Sequence, residues 1–239
     1  VRRASTVSKD KGGGGLIKKE WTRVINRTYR AAARRFKQVT SKRRPMTVEI
    51  LKRIKSQLKH ESHNDRAIWA ILCLGVFTLA RIGELLPSDS SKLEVTRRAL
   101  VIRGDHGVLS LVGTKTDADR KGVQLHFFRN NSVCCPVAAM NAYLTGLTAG
   151  ATSQALFVDD KGERMTQAKV IDRVRALLNQ IGLEGKDFSG ISLRRGGAQV
   201  LLRLGADEKV IMAMGRWKSA CFRRYLTIEE ADLAQWQKK

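Results

Sequence analysis

From Ile68 to Ala80 the chain reads IWAILCLGVFTLA, with no charged side chain. A helix that is apolar on all sides has no face to offer water and must be wrapped by other elements. The run is broken by Gly75 and Thr78 and falls short of the roughly 20 apolar residues of a membrane span. It therefore reads as a buried helix over residues 65–80, around which the rest of a domain is laid, and no membrane partner is expected.

The flanking segments supply the rest. Thr47 is placed to cap a helix with Glu49 in its first turn and Leu51, Ile54 and Leu58 at helical spacing. Short β-type runs follow at Ala99 to Arg103, Val108 to Val112 and Val123 to Phe128, with turn material at Gly104-Asp105 and Asp117 to Gly122. Pro136 opens a further helix to about Leu147. Helices are expected near 166–181, 192–204, 207–214 and 228–237. Helices, then a small antiparallel sheet, then helices is an α+β order rather than alternating βαβ, so the fold class is mostly helical α+β. This domain spans 46–239. Residues 1–45 read as a linker with the glycine run Gly12 to Gly15, one basic helix from Lys18 to Phe36, and the basic joint Ser41 to Pro45.

Charge narrows the partner. The 239 residues hold 45 Lys and Arg against 22 acids, a net +23. Residues 1–45 account for +13 of this, which a solvated basic tail would explain, but the other +10 lies in the main domain. Such an excess favours a polyanion, because each cation seated on a phosphate releases counterions. The four cysteines (Cys73, Cys134, Cys135, Cys221) form no C-x-x-C pair, a pattern of free thiols in a reducing compartment. No metal site is expected from them or from the four histidines.

Breaking a DNA strand without a metal needs a nucleophile at phosphorus, cationic donors on the non-bridging oxygens, and an acid for the leaving oxygen. Arginine suits the oxygens through its planar fork and permanent charge, and lysine suits the acid role because its proton is transferable. Four segments offer such groups: LARIGEL at Leu79 to Leu85, GTKTDADRKG at Gly113 to Gly122, GISLRRGGA at Gly190 to Ala198, and GRWKSACFRRY at Gly215 to Tyr225. Each has a bland reading. Arg81 could be a helix-end cation meeting carbonyls, Lys115 one more surface lysine with Lys121 as its rival, and Trp217 simply core. Arg195 replaces Arg194 if the helix start shifts. Of the three tyrosines, Tyr29 and Tyr143 lie among apolar helical neighbours and read as packing.

In order and spacing over residues 46–236 these segments resemble the boxes of the tyrosine recombinase (phage integrase) family. The SLRRGGA and GRWKSACFRRY strings resemble in particular the recombinases of DIRS and Crypton-type eukaryotic mobile elements. The resemblance implies DNA strand cleavage and rejoining through a 3′-phosphotyrosyl intermediate, in the recombination or transposition of a mobile element. It implies catalytic roles for Arg81, Lys115, Arg194, Trp217 and the nucleophile Tyr225, with Glu84 as the acidic partner of Arg81. Tyr225 follows Trp217 by eight residues, where a spacing of nine is also common. One position departs: three residues before Arg194, where the family carries histidine, stands Ile191. Isoleucine neither hydrogen-bonds phosphate nor accepts a proton. Either the enzyme tolerates the loss, or the element has decayed or been domesticated, or the chain is a trap that holds a DNA complex.

Lys42, Arg43, Arg44, Arg195, Arg216 and Arg224 are expected on DNA. No cofactor is implied. The partner is double-stranded DNA, with self-association as dimer to tetramer through an amphipathic helix from Ile228 to Trp236. Residues 1–45 resemble the end of the family's N-terminal DNA-clamp domain, so the chain is expected to be a piece of something longer. Two other readings stay open: a silent recombinase-derived DNA-binding protein, and a type IB topoisomerase-like relaxer. The KRR at 42–44 is compatible with nuclear import, so the place is the nucleus in a eukaryotic host and otherwise the cytoplasm or nucleoid.

Overall fold

The computed structural model of the chain describes residues 43–89, 95–111, 122–147, 154–219 and 222–223. All belong to the second of two units into which the chain divides, Arg43–Lys239. The linker and basic helix expected before residue 43, Lys42 included, lie outside the described residues, as do Lys115, Lys121, Arg224, Tyr225 and the stretch Ile228 to Trp236.

Thr47 does cap the first helix, α1 (Val48–Lys55), its hydroxyl accepting from Ile50 N at 3.3 Å. Ile50, Leu51 and Ile54 form its buried face. The charge-free run becomes α2 (His63–Phe77), capped by Ser62 and buried continuously from Ala67 to Val76. The helix stops at Thr78 because Leu79 takes a left-handed φ of 50°. The expected 65–80 helix thus ends three residues early, and its last residues form the turn into a separate short helix, α3 (Ile82–Leu85).

The sheet is β1 (Leu100–Arg103), β2 (His106–Leu111) and β3 (Val123–Phe128), antiparallel in that order. β2 begins two residues before the expected Val108, since only Gly104 and Asp105 form the turn and Arg103 already pairs with His106. Leu109, Leu111, Leu125 and Phe127 point inward. Gly107 is glycine for space, as a Cβ there would lie 2.1 Å from the Phe127 ring.

The sheet's inner side meets α4 (Pro136–Leu144), which packs on α2. Then come α5 (Gln167–Gln180), α6 (Ile191–Arg203) and α7 (Glu208–Gly215), the first and last capped by Thr166 and Asp207. The fold is α+β and mostly helical, with seven α-helices and one small antiparallel sheet among the described residues.

What positions the site is the packing of α6 on α2. Gly197 sits on the C-terminal end of α2, where a Cβ would lie 2.1 Å from the Val76 carbonyl oxygen. At Gly196 a Cβ would lie 1.9 Å from the Met46 carbonyl oxygen. Two adjacent glycines let the helix backbone touch both neighbours. The LRRGGA string thereby seats α6 deep in the molecule, and Ser192 to Gln199 are all buried.

Candidate active site

The left-handed turn at Leu79 releases the chain from α2 and delivers Arg81 to the head of α3. There Arg81 is not satisfying helix carbonyls. Its Nη1 donates to Glu84 Oε1 at 2.7 Å and its backbone N–H to Glu84 Oε2 at 2.9 Å. The Glu84 side chain is only 6% exposed, whereas that of Arg81 is 36% exposed. A buried carboxylate gripping a half-exposed guanidinium fixes a cation at the surface in one orientation. A guanidinium carries five N–H donors, and among the described residues Arg81 spends one side-chain donor on Glu84.

A second guanidinium reaches the same carboxylate. Arg216 Nη2 donates to Glu84 Oε2 at 2.6 Å, and Arg216 Nη1 lies 3.4 Å from the Thr78 carbonyl oxygen. Arg216 caps α7 with φ 55° and ψ 40°, the left-handed conformation glycine normally takes at a helix C-terminus. Burial pushes its guanidinium below its usual value; the carboxylate of Glu84 acts in the opposite sense, and the charge of Arg81 adds to the lowering. Two guanidiniums around one carboxylate leave a net positive charge.

Arg194 lies beneath this pair. It has no solvent exposure. Its Nη1 donates to the Leu79 carbonyl oxygen at 3.1 Å and its Nη2 to the Gly215 carbonyl oxygen. Its guanidinium carbon lies 4.5 Å from the centre of the Trp217 ring. The two carbonyls belong to the segments that lead into Arg81 and into Arg216, so one buried cation ties both together. Trp217, expected at the phosphate, is 9% exposed and folds over Gly215, where a Cβ would lie 1.8 Å from its ring. It belongs to a small second core with Leu79, Ala198, Ile211 and Phe222.

Ile191 is the first residue of α6 and half-buried, and the Gly190 before it abuts Ile82, next to Arg81. Of the residues expected on DNA, Arg43 and Arg44 are exposed, with the Arg43 guanidinium on the Lys186 carbonyl and Arg44 over the Phe188 ring at 5.6 Å. Arg195 is different. It is 7% exposed, because the glycine pair after it draws that turn of α6 into the interior, so it is buried where an exposed residue was expected. Sequence reasoning set Arg216 among general DNA contacts and missed its place beside Arg81. The signal was there: Arg216 precedes Tyr225 by nine residues, the other spacing common in the family. The Tyr143 hydroxyl is buried and engaged, donating to Leu156 O and accepting from Val158 N, both at 2.9 Å, in keeping with a packing role.

The fold has solved likenesses. The XerH site-specific recombinase bound to palindromic difH substrate, a post-cleavage complex, shares 16% identity over 81% of this chain and 52% of its own, with a TM-score of 0.60. XerA recombinase shares 19% over 82% of this chain and 64% of its own, TM-score 0.58. The Tn1549 transposon integrase in complex with circular intermediate DNA shares 12% over 84% and 66%, TM-score 0.56. The chain thus spans between about half and two-thirds of the length of these structures. At such identities the likeness is one of fold. No curated protein matches the sequence. The model of the phage integrase family matches residues 44–230, over three-quarters of the sequence, and the chain belongs to that family, the tyrosine recombinases.

Proposed function

We propose that the chain cuts and rejoins DNA strands through a 3′-phosphotyrosyl link, in the recombination or transposition of a mobile element of the DIRS or Crypton kind. The observation that carries this reading is Arg81, a half-exposed cation oriented by the buried carboxylate of Glu84, within the span that matches the family. Charge stabilisation by a donor fixed in advance is worth more than one that must reorganise during the reaction.

In this reading Arg81 and Arg194 hold the non-bridging oxygens of the scissile phosphate. Arg194 reaches them by exchanging a backbone carbonyl for a phosphate oxygen when DNA binds, and catalytic contacts commonly tighten only in the complex. The Tyr225 hydroxyl gives its proton to water as its oxygen attacks phosphorus, and the bond from phosphorus to the 5′ oxygen breaks as Lys115 gives that oxygen a proton. A 5′-hydroxyl from a partner duplex reverses the step and expels the tyrosine. The phosphodiester bond energy stays in the tyrosyl link, so the exchange needs no ATP. Double-stranded DNA is the substrate, held by Arg43, Arg44 and the basic segment before them. Assembly as dimer to tetramer on DNA through Ile228 to Trp236 gates cleavage.

A second reading, a DNA-binding protein that no longer cuts, rests on Ile191, the position at which the family resemblance expects histidine. A denaturing-gel assay for a covalent adduct separates the two. Native protein, Tyr225→Phe and Ile191→His are each incubated with nicked duplexes from the DNA flanking the gene. An adduct in the native chain that vanishes in Tyr225→Phe is expected. An adduct only in Ile191→His favours the silent reading, and binding without adduct in every variant overturns the catalytic assignment.

A further inference from the structure

We infer that Arg216, not Trp217, is the donor that joins Arg81 on the scissile phosphate. The inference rests on the strand-cleavage reading above and deepens it.

Three observations converge on it. Arg216 and Arg81 share one carboxylate, at 2.6 Å and 2.7 Å, so their guanidiniums are held side by side. Both keep side-chain exposure, 18% and 36%, while Glu84 between them keeps 6%. The cluster therefore opens outward through its cations and carries one positive charge more than its carboxylate balances. A phosphate diester has the charge and the paired oxygens to fill that gap.

The backbone gives the second observation. Arg216 holds a left-handed φ of 55° at the end of α7. Glycine takes this conformation without strain and ends helices in it routinely, whereas a long side chain there is uncommon. Strained positions of this kind gather at functional sites. At Arg216 the left-handed turn aims the side chain at Glu84 and, in the next residue, turns Trp217 back over Gly215.

The third concerns Trp217. Its ring packs with Leu79, Ile211 and Phe222, and Arg194 lies over it. The side chain is committed to the second core, and Arg216, one residue earlier, is the one directed at the arginine cluster.

The test replaces a charge on the substrate. Nicked duplexes are made with the scissile phosphate either normal or as the methylphosphonate, in which methyl replaces one charged oxygen. Adduct formation is followed for the native chain and for Arg216→Ala. Losing one fixed donor at a developing charge typically slows a reaction about 10²–10³-fold. The expected result is a loss of that size on the phosphate and recovery of most of it on the methylphosphonate, where no charge needs neutralising. Recovery also shows that the variant is folded. Wild-type rates for Arg216→Ala on the phosphate overturn the inference. So does an equal loss on both substrates in a variant whose thermal melt matches the native chain. A native chain that forms no adduct at all counts against strand cleavage, and Arg216 is then judged separately. Inorganic phosphate is titrated into protein with ¹⁵N-labelled arginine, and the Arg216 Nε–H resonance is followed. A shift that is lost in Arg81→Ala supports the paired site, and an unmoved resonance overturns it.

Discussion

Arg194 Nη1 donates to the carbonyl oxygen of Leu79 at 3.1 Å, joining the first turn of α6 to the turn that releases Arg81 from α2. The same guanidinium holds Gly215 O, so the segments leading to Arg81 and Arg216 share one buried anchor. Hydrogen bonds to a charged group contribute about 1.5–3 kcal/mol each, and carbonyls left buried without a donor cost more than the bond's net value. Arg194→Met is therefore expected to lower the free energy of unfolding by roughly 3 kcal/mol. Equilibrium urea unfolding reads this directly. A variant within 1 kcal/mol of the native chain would mean that the two carbonyls find other donors without cost.

The glycine pair of α6 sets how close that helix comes to α2. Gly197→Ala places a methyl group 2.1 Å from the Val76 carbonyl oxygen, a fixed backbone atom rather than a flexible side-chain end. α6 must then lift away, and Arg194 loses its reach to Leu79. Overpacking of this kind costs about 1–3 kcal/mol. The expected signature is a lowered melting temperature together with weakened adduct formation, although residue 197 touches no substrate. Gly182, with φ 75° and open space around its Cβ, provides the contrast. Alanine there is strained by its backbone conformation alone and should leave any adduct formation unaltered.

Much of this was legible in the sequence because it depended on local pattern. The charge-free run around Trp69 had to be a buried helix, Thr47 and Pro136 marked helix starts, and the LARIGEL string brought Arg81 and Glu84 within one turn. The left-handed residues were not legible. Neither Leu79 nor Arg216 is a residue type that announces positive φ, and each redirects the chain at the site. Leu79 cuts the expected helix short and makes Arg81 the start of α3 rather than the end of α2. Arg216 turns its own side chain toward Glu84 and lays Trp217 back over Gly215. Arg195 misled for a related reason: a charged residue beside a charged residue reads as surface, and only the packing of Gly196 against Met46 shows that this turn of α6 faces inward.

Tyr143 ties α4 to the segment that follows residue 153. Its hydroxyl donates to Leu156 O and accepts from Val158 N, and its ring has no solvent exposure. Phenylalanine keeps the ring and strands both backbone groups in the interior. Each such group costs about 1–3 kcal/mol. Tyr143→Phe is expected to lose roughly 2–6 kcal/mol for the two together in a urea melt and to keep any adduct that Tyr225 forms. A variant that kept its stability but lost the adduct would transfer the nucleophile's role to Tyr143.

Cys73 lies in the middle of α2 with no solvent exposure. Burial pushes its thiol well above the usual thiol range, with the neighbouring Cys134 acting in the same sense and Lys55 against it. The thiolate is the reactive form, so a thiol held neutral is inert. Native protein treated with iodoacetamide at pH 8 is expected to remain unlabelled at Cys73, read by peptide mass spectrometry, and to label there once unfolded in urea. The sign of the linked stability follows. The folded thiol holds its proton to higher pH than the unfolded one, which titrates near 8.5. The stability this contributes is fully present below about pH 8.5 and is lost as the pH rises from there toward the folded value. Replacing Cys73 with alanine removes that dependence and opens a small cavity, so the variant should be less stable at neutral pH and lose less of its stability between about pH 8 and 10 than the native chain. Parallel curves for the two proteins across that range would show that Cys73 titrates alike in the folded and unfolded chain.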